Sequence, residues 1–600
     1  MDTPPLIRGL GASLGGRQWH WRGGNMQLDG GDHAAGDDLV AQLLLARGVP
    51  REDLARQRNP TLRAFLPDPG CFRDMEAAAQ RIADAVIARE PITVYGDYDV
   101  DGATSAALLI RLIRMLGHQA DAYIPDRLLE GYGPSGEALV RLARAGNNGV
   151  GARLIVTVDC GAMAHEALAM AAAEPVDVIV VDHHKCSVDL PEALALVNPN
   201  RLDEGDEAAL HGHLAAVGVA FLLAIAVVRV LRGRGFFAGR AEPDLLSLLD
   251  LVALGTVADV ASLKGLNRAF VAQGLKVMAR RENTGMAALI DASRLGRAPS
   301  CSDLGFALGP RVNAGGRVGE ATLGVRLLTT GDPDEARDIA AQLSRLNEER
   351  RAIEGAVQEA AEAQIEAQHN RAVVVVAGRE WHPGVIGIVA GRIKEKTGKP
   401  ALVIALDADE AGNGKGSGRS IAGVDLGAAI IAARAEGLLV AGGGHAMAAG
   451  LTVAPGGHER LGEWLDARLG ADVAAARTSQ RLALDLAVSP RGLNPALIET
   501  LEQAGPFGMG WPAPRVAVGP VRVVKADLVG NAHVRLILRG PEGTTFKGIA
   551  FRAGGTEFGE TLLHGTRDRS LWLAGRAKID DWGSRPAAEL HIEDACWAAG

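Results

Sequence analysis

The sequence predicts a multidomain α/β protein, in which a parallel-sheet domain is joined by a long helix to a smaller α/β domain and a β-barrel follows. Two observations carry this prediction. Between residues 92 and 184, apolar strand-like segments alternate with helical segments, and the connections are short. After about residue 481, the pattern changes to short strands separated by Gly, Asn or Pro turns. The first pattern is typical of a parallel sheet covered by helices on both faces, and the second of a small all-β barrel.

The composition excludes several classes of protein. Of the 600 residues, 48% are hydrophobic and 22% charged, which is typical of a globular and not of a disordered chain. The five cysteines form no Cys-x-x-Cys pair, so a secreted disulfide scaffold is excluded. The longest apolar stretch without a charge, residues 214–228, has fifteen residues, whereas a spanning helix needs about 20. We therefore expect a cytoplasmic protein that does not enter a membrane, and the net charge of −9 still allows a local basic groove.

Changes in the pattern along the chain predict the domain limits. Residues 1–36 are Gly-rich and aperiodic, which predicts a flexible N-terminal arm. Residues 37–331 begin with helices and continue into the parallel-sheet domain, and residues 332–370, rich in Ala, Glu, Gln and Arg, predict a solvent-exposed connecting helix. Residues 371–470 predict the smaller α/β domain. Residues 481–600 predict the barrel, for which the five-stranded oligonucleotide-binding (OB) barrel is the obvious candidate.

The segment YGDYDVDG follows the first predicted strand and carries carboxylates at alternate positions, Asp97, Asp99 and Asp101. Three such groups repel one another strongly unless a cation lies among them. For a single Asp-x-Asp pair, a polar loop closed by Gly102 would be the better interpretation.

The pattern recurs at two further strand ends. One predicted strand ends in DCG at residues 159–161, and the next in DHH at residues 182–184. Because the carboxyl ends of parallel strands share one edge of an open sheet, where ligands bind, we expect these groups to converge. Asp259, after a helical segment, is a further candidate, and a satisfied buried aspartate is the competing interpretation.

The ligand set indicates the class of metal. Carboxylates with one or two imidazoles suit Mn²⁺ or Mg²⁺ better than a thiolate zinc site. Cys160 and Cys186 lie nearby in sequence, so zinc stays open, although neither has a partner at zinc-finger spacing. Two cations that share one carboxylate would activate a water and clamp a phosphoryl group. We expect Asp159 to be the shared carboxylate, because it stands alone at the middle strand end.

The strings GDYDVDG, VDCG, VDHH and GTVADV, in this order, resemble the DHH phosphoesterase superfamily. GPRVNAGGR, WHPGVIGIVAGRI, GSGRS and GGGHAMAAG resemble its RecJ branch of single-strand-specific 5′→3′ exonucleases, and the resemblance covers roughly residues 50–600. It implies a DHH catalytic domain, a DHH-associated substrate-binding domain and an OB-like domain. It also implies two Mn²⁺ or Mg²⁺ ions bound by Asp99, Asp101, Asp159, His183 and Asp259.

The resemblance implies catalytic roles for two further residues. Asp182 would support the metal ligands from behind, and His184 would contact the phosphate. Adjacent residues after a strand end point different ways, so His184 can face the phosphate if His183 binds metal. The alternative is that His184 only caps or packs. Tyr95 stands where relatives often carry His, which leaves a ligand role at that position open.

Three Gly-rich strings contain candidate phosphate-binding residues. GPRVNAGGR places Arg311 and Arg317 around a flexible glycine pair, GSGRS places Ser417 and Arg419 among glycines, and GGGH contains His445. Arg suits bidentate phosphate contacts, and Gly lets backbone N–H groups approach an anion. For GPRVNAGGR alone a surface turn would be equally likely, and any one Gly run is weak evidence in a chain that is Gly-rich throughout. In the family the associated domain holds nucleotide phosphates across a cleft, so the resemblance implies substrate binding by Arg311, Ser417, Arg419 and His445.

The predicted barrel contains the alternating segment HVRLILR, in which Val534, Leu536 and Leu538 would face the core. Basic residues on the other face and on neighbouring strands fit a groove for a phosphate backbone, with a solvated sheet face as the alternative for any one of them. They are His533, Arg535, Arg539, Lys547, Arg552, Arg576 and Lys578.

Together, the motifs and the resemblance predict an exodeoxyribonuclease that degrades single-stranded DNA 5′→3′ to 5′-mononucleotides by two-metal hydrolysis, in DNA recombination and repair. The strand polarity comes from the resemblance alone. One alternative is a DHH-type phosphoesterase acting on short oligonucleotides, cyclic dinucleotides or pyrophosphate. Another is a non-catalytic single-strand-binding protein that uses only the barrel. Single-stranded DNA is the expected partner, and a single-strand-binding protein and a helicase are expected on family grounds.

Overall fold

The computed structural model describes residues 10–23, 38–127, 129–368, 370–407, 409, 412–478, 480–566, 569–580 and 586–598. The chain divides into two compact units. The larger unit is Thr61–Ala474 with Gly508–Trp511, and the smaller is Met1–Pro60 with Ala475–Phe507 and Pro512–Gly600.

Helices and strands are numbered here in chain order. The strands are β1 (Leu10–Ser13), β2 (Gln18–Trp21), β3 (Ile92–Gly96), β4 (Ala120–Tyr123), β5 (Leu154–Val158), β6 (Asp177–Val181), β7 (Ala195–Val197), β8 (Val374–Arg379), β9 (Ala401–Leu406), β10 (Gly414–Arg419), β11 (Ala441–His445), β12 (Ala448–Val453), β13 (Arg481–Leu484), β14 (Leu486–Val488), β15 (Val516–Val529), β16 (His533–Arg539), β17 (Thr545–Ala550), β18 (Leu571–Asp580) and β19 (Ala587–Ala598). The helices are α1 (Leu39–Ala46), α2 (Leu54–Arg58), α3 (Leu62–Phe65), α4 (Met75–Ala88), α5 (Val100–Met115), α6 (Gly136–Ala145), α7 (His165–Ala172), α8 (Asp206–Ala209), α9 (Ala216–Gly233), α10 (Leu249–Ala258), α11 (Gly265–Met278), α12 (Thr284–Ala292), α13 (Cys301–Asp303), α14 (Gly309–Val318), α15 (Leu323–Thr329), α16 (Pro333–Ile365), α17 (Ile386–Thr397), α18 (Leu426–Ala435), α19 (Gly457–Thr478), α20 (Pro495–Glu502) and α21 (Glu557–His564).

The first sheet of the larger unit has five parallel strands in the order β4-β3-β5-β6-β7. The apolar runs ITVYG and LIVTV form β3 and β5, and both are buried along their whole length. The strand order reverses between β3 and β5, and open α/β sheets bind ligands outside the strand ends at such a point. The predicted parallel sheet is confirmed.

Helix α9 is the central helix of this domain. It contains most of the apolar stretch 214–228, and its side chains from Ala216 to Ala224 are buried. Among the described residues it alone is long and apolar enough to cross a membrane, but 72% of its apolar window is buried inside the protein. The prediction of a buried core helix is confirmed.

The connecting helix is α16, which Asp332 caps through a hydrogen bond to the N–H of Asp334. Its expected solvent exposure is wrong for one face. Leu343 and its neighbours pack into the core of the parallel-sheet domain, and Val357 and Ala361 pack into the core of the smaller α/β domain. The helix therefore carries apolar contacts to both domains.

The smaller α/β domain has a five-stranded sheet in the order β11-β12-β10-β9-β8. Strands β8 and β9 are parallel, and the remaining pairs are antiparallel. The Gly-rich strings GSGRS and GGGH lie largely within β10 and β11.

The smaller unit contains a closed five-stranded barrel, which confirms the OB prediction. Strand β15 pairs with β16 and β18, β16 with β17, β17 with β19, and β19 with β18. Val534, Leu536 and Leu538 are fully buried, as the alternation predicts.

The expected flexible arm needs correction for residues 10–21. Strand β1 pairs with β19, and β2 pairs in parallel with β13. Trp19 and Trp21 are buried, and the indole of Trp19 donates a hydrogen bond to Asp594 at 2.9 Å. This part of the arm gains its order from strands near the other end of the sequence, while residues 1–9 and 24–36 lie outside the described residues.

Candidate metal centre

The turn after β3 holds the first carboxylates in place. Asp99 caps helix α5, where its Oδ1 accepts hydrogen bonds from the N–H groups of Asp101 at 2.8 Å and Gly102 at 3.1 Å. A Cβ at residue 102 would lie 2.3 Å from the main-chain oxygen of Asp97, so only Gly fits. The backbone of GDYDVDG is thus closely folded, and its aspartates lie at the carboxyl edge of the sheet.

Asp101 joins this turn to the central helix. Its side chain is fully buried and accepts hydrogen bonds from the N–H of Ala216 at 2.7 Å and that of Val217 at 2.9 Å, in the first turn of α9. Helix N-termini have unpaired N–H groups that favour a carboxylate. Asp101 therefore holds the N-terminus of α9 in place and also presents a carboxylate oxygen to the other candidate metal ligands.

Asp159 follows β5 in a left-handed backbone conformation with φ of 62°. A non-glycine residue is strained in this conformation, and such residues cluster at functional sites. The Oδ1 of Asp159 lies 3.2 Å from the Nε2 of His183. That Nε2 is also 3.9 Å from carboxylate oxygens of both Asp101 and Asp259.

All five sequence-predicted metal ligands therefore lie together. One ligand atom from each of Asp101, His183 and Asp259 lies within 4.8 Å of the other two, and the same holds for Asp97, Asp99 and Asp159. The two groups meet through the contact between Asp159 and His183.

Burial and mutual repulsion keep Asp101, Asp159 and Asp259 from ionising freely. Burial, together with neighbouring carboxylates, raises the pKa of Asp159 well above its usual range, that of Asp101 to about 7 and that of Asp259 to about 8. Burial lowers the pKa of His183 to about 4, which leaves a neutral imidazole able to bind a metal. The Oδ1 of Asp159 and the Nε2 of His183 are buried and make no hydrogen bond. Carboxylates and a neutral imidazole with unused buried atoms fit a divalent cation.

The environment of Asp182 favours the ionised carboxylate, in contrast to those of Asp101, Asp159 and Asp259. It accepts hydrogen bonds from the N–H groups of Ala162, His183 and His184, and its Oδ1 lies 2.8 Å from the Nδ1 of His184. Burial opposes the charge of Asp182, yet the hydrogen bond from His184 lowers its pKa to about 2. Burial also opposes a charge on His184, but Asp182 outweighs it and raises the pKa of His184 to about 9. The half-exposed His184 can thus present a positive charge to an anion.

A cavity of about 540 Å³ lies in the larger unit between α17 and strands β10 to β12. Of the four predicted substrate-binding residues, Ser417 and Arg419 line it, and Arg419 donates a hydrogen bond to the hydroxyl of Ser417 at 3.1 Å. Arg127 and Arg317 also line the cavity. Its wall is therefore rich in the groups that bind phosphate.

Arg311 and His445 lie elsewhere. GPRVNAGGR forms helix α14 after a π-helical turn at Leu304–Leu308, and not the expected flexible turn. Arg311 bonds within this region, to the main-chain oxygen of Ala307 at 2.7 Å and to Ser344 at 3.2 Å. His445, at the end of β11, is exposed. Neither belongs to the described wall of the cavity.

Family models match three parts of the chain. The DHH family N-terminal domain matches residues 91–256, the DHHA1 domain residues 369–470 and the RecJ OB domain residues 484–594. The single-stranded-DNA-specific exonuclease RecJ of Dickeya dadantii is 37% identical over 580 residues, which cover 92% of this chain and 95% of that protein. This chain belongs to the RecJ family.

Solved structures of RecJ from Thermus thermophilus are similar to this chain. The complex with Mn²⁺ has a TM-score of 0.72 and 30% identity, and the match covers 93% of this chain and 75% of that one. The complex with Mg²⁺ has a TM-score of 0.65 and 29% identity, and the match covers 93% of this chain and 74% of that one. The resemblance read from the motifs is thus confirmed at the level of the RecJ family.

Sequence reasoning missed several residues at this RecJ-family centre. Asp97 is buried, and its Oδ1 makes no hydrogen bond, so it joins the candidate ligands. The alternation of YGDYDVDG was the signal for it. Arg317 lies in GPRVNAGGR, but it was not among the four predicted substrate-binding residues. Arg127 and Tyr132 belong to a loop whose sequence shows no periodic pattern.

Proposed function

We propose that this chain is a single-stranded-DNA-specific exonuclease that degrades DNA 5′→3′ to 5′-mononucleotides by two-metal phosphodiester hydrolysis, in recombination and repair. The observation that carries the proposal is the carboxylate–imidazole cluster at the sheet edge, in the same unit as a cavity lined by arginines. The strand polarity, the DNA substrate and the cellular role come from the RecJ relatives and the family resemblance.

Two Mn²⁺ or Mg²⁺ ions fit the cluster. We propose that they are held by Asp99, Asp101, Asp159, His183 and Asp259. Asp97 adds a further oxygen, and the position of Asp159 between the two groups supports its role as the shared carboxylate. Such a pair of cations supplies a nucleophile from water and neutralises charge on the scissile phosphate.

The side chains around the cluster hold and orient the substrate. The positive charge of His184, fixed by Asp182, stabilises negative charge that develops on the phosphate. Ser417, Arg419 and Arg317 bind phosphates of the strand within the cavity. For Arg311 and His445, predicted from the resemblance, the contacts of the chain give no such support.

We propose that the barrel binds the rest of the single strand. Several basic residues of the predicted groove are paired with acids, as in the contacts Lys547–Asp580 and Arg576–Glu593. Each such residue then adds little net charge, and an exposed ion pair contributes about 0–1 kcal/mol. These ion pairs therefore reduce the positive charge that Lys547 and Arg576 offer to a phosphate backbone.

We keep the domain limits predicted from the sequence, 37–331, 332–370, 371–470 and 481–600, as proposals. A cytoplasmic location and partnership with a single-strand-binding protein and a helicase are likewise proposals that rest on the family.

The test is digestion of single strands labelled at the 5′ or the 3′ end, beside a blunt duplex, with Mn²⁺ or Mg²⁺. We expect labelled mononucleotide to appear first from 5′-labelled single strands, and the duplex to resist. Digestion only from the 3′ end, or activity that a chelator leaves unchanged, would contradict the proposal.

Two variants sharpen this test. Asp159→Ala should abolish turnover and leave binding of single-stranded DNA largely intact. Asp250→Asn is the matched control, because Asp250 is also a buried aspartate but lies nine residues before Asp259, about 14 Å along the same helix. Turnover of a dinucleotide that exceeds that of a long strand would favour the short-oligonucleotide alternative.

A further inference from the structure

A tight turn places Tyr132 beside His184. Gly131 and Gly133 have φ of 84° and 80°, a conformation that residues with a Cβ rarely adopt. Between them, Tyr132 is 55% exposed, but its hydroxyl reaches into the centre. The hydroxyl lies 3.1 Å from the main-chain oxygen of Asp159 and 3.1 Å from the Nδ1 of His184.

The hydroxyl of Tyr132 borders one edge of the imidazole. It is 3.1 Å from the Nδ1 of His184 and 3.4 Å from the Nε2, and the two rings meet edge to face with centroids 5.6 Å apart. The carbonyl of Asp159 can only accept, so the hydroxyl donates its proton there and turns its lone pairs toward the imidazole. Tyr132 therefore links the backbone of Asp159 to the ring of His184.

Tyr95 holds the Gly131–Gly133 turn in place through a hydrogen bond. It is fully buried at the end of β3, and its hydroxyl donates a hydrogen bond to the main-chain oxygen of Gly133 at 3.1 Å. Its ring packs on that of Tyr123 at 5.1 Å. The hydroxyl is thus bonded to the turn, which answers the question that the sequence left open at this position.

We propose that Tyr132 is a positioning residue that holds the imidazole of His184 toward the scissile phosphate, and that Tyr95 fixes the turn from which it acts. The proposal rests on the proposed nuclease function. Asp182 contacts the ring of His184 only at the Nδ1, so a half-exposed ring could still swing about this one contact. The hydroxyl of Tyr132, 3.1 Å from the Nδ1 and 3.4 Å from the Nε2, gives the ring a second contact and restricts the swing. Small displacements of a catalytic group lower rates steeply.

The exposed ring of Tyr132 also allows a different role, in which it stacks on a base of the DNA. The two roles make different demands on the side chain. Stacking needs the ring and affects substrate binding. Positioning needs the hydroxyl and affects the rate of the chemical step.

The test uses Tyr132→Phe and Tyr95→Phe in the full-length protein with Mn²⁺. We expect each to lower kcat about ten-fold, because each removes one hydrogen bond that holds the turn or the imidazole in place, with KM for single-stranded DNA unchanged within about two-fold. Thr329→Val is the matched control, because it also removes one hydroxyl hydrogen bond, to the main-chain oxygen of Val325 at 2.8 Å, and Thr329 is not among the contacts of His184 or of the turn. It should keep the wild-type kcat.

A double-variant cycle separates positioning from a general structural role. In a His184→Gln background, measured by single turnover, Tyr132→Phe should cause no further loss, because the residue acts only through the imidazole. Thermal stabilisation by Mn²⁺ should be the same in Tyr132→Phe and the wild type.

Three results would overturn the inference: a wild-type kcat in Tyr132→Phe, a change confined to KM, or the same ten-fold loss in the His184→Gln background. An inactive wild type would instead count against the proposed function itself, so the two failures are distinguishable.

Discussion

Replacing Asp159 with Asn should stabilise the protein when metal is removed. The ionised side chain lies within 4.8 Å of other carboxylate oxygens, and its Oδ1 accepts no hydrogen bond. At 4.8 Å and an effective dielectric constant of about 20, two unit charges repel by about 3 kcal/mol. Because burial raises the pKa of the neighbouring Asp97 and so reduces its charge, we expect a gain of about 1–3 kcal/mol, seen as a rise of a few degrees in Tm.

The direction of the pKa shift determines how the stability of the metal-free protein changes with pH. Burial and like charges raise the folded-state pKa of Asp159, so its ionisation destabilises the fold. The metal-free wild type should lose stability as the pH rises from about 4, where the unfolded carboxyl titrates, toward the pKa values near 7 and 8 of Asp101 and Asp259. The advantage of Asp159→Asn should grow over the same range.

Asp182→Asn serves as the comparison, because the pKa of Asp182 is lowered in the folded protein whereas that of Asp159 is raised. The pKa of Asp182 is lowered to about 2, so its charge stabilises the fold above the unfolded pKa of about 4, and this stability is lost as the pH falls through 2. The difference of about two pKa units corresponds to about 2–3 kcal/mol. Asp182→Asn should therefore be destabilised near pH 7, with or without metal.

The assay is thermal unfolding from pH 5 to 8.5, with a chelator or with saturating Mn²⁺. With the chelator at pH 8, Asp159→Asn should unfold above the wild type. With Mn²⁺ the order should reverse, because a ligand at 100 times its Kd adds about 2.7 kcal/mol to the form that binds it. The reasoning is refuted if Asp159→Asn is the less stable protein in chelator at pH 8, or if Mn²⁺ stabilises it as much as the wild type.

Three further predictions follow from the same contacts. Arg317→Ala should weaken binding of single-stranded DNA and reduce the slope of log K against log salt by about 1, as measured by fluorescence anisotropy. Arg311→Ala should leave that binding unchanged but lower the stability to denaturant, because its guanidinium bonds the main chain at Ala307. Leu536→Ala should cost about 2–5 kcal/mol in the barrel, and should impair turnover of long strands more than that of dinucleotides.

Most of the metal centre could be predicted because the topology of a parallel sheet brings the ends of its strands together. Apolar runs that end in carboxylates form neighbouring parallel strands, and parallel strands end at the same edge. Asp97, Asp159 and Asp182 therefore converge whatever the details of side-chain packing. Asp259 is different, since it follows a helix and its place depends on how α10 packs against the sheet. For Asp259 the motif order gave the assignment, and periodicity alone did not.

The errors have a common physical origin, because each concerns contacts that are not local in sequence. A glycine pair in GPRVNAGGR indicates a turn, but tertiary packing makes this string a helix. Arg311 and Arg317 are six residues apart, and in a helix such residues point about 120° from one another. Both bond the main chain, Arg311 at Ala307 and Arg317 at Gly384, but only Arg317 belongs to the described wall of the cavity. Likewise, Gly-rich residues 10–21 become strands only because partners near residues 481 and 596 supply the hydrogen bonds.

The number of hydrogen-bond donors at each aspartate separates roles that the sequence cannot. VDCG and VDHH both place an aspartate directly after a buried strand, and nothing in the strings distinguishes the two carboxylates. The fold gives Asp182 three backbone N–H groups and an imidazole, so it stays ionised without a cation and can orient His184. It gives the Oδ1 of Asp159 no donor. A carboxylate that is buried, surrounded by like charges and deprived of donors destabilises the fold when it ionises, unless a cation compensates its charge. The same residues that lower the stability of the metal-free protein would therefore bind the metal ions that the reaction needs.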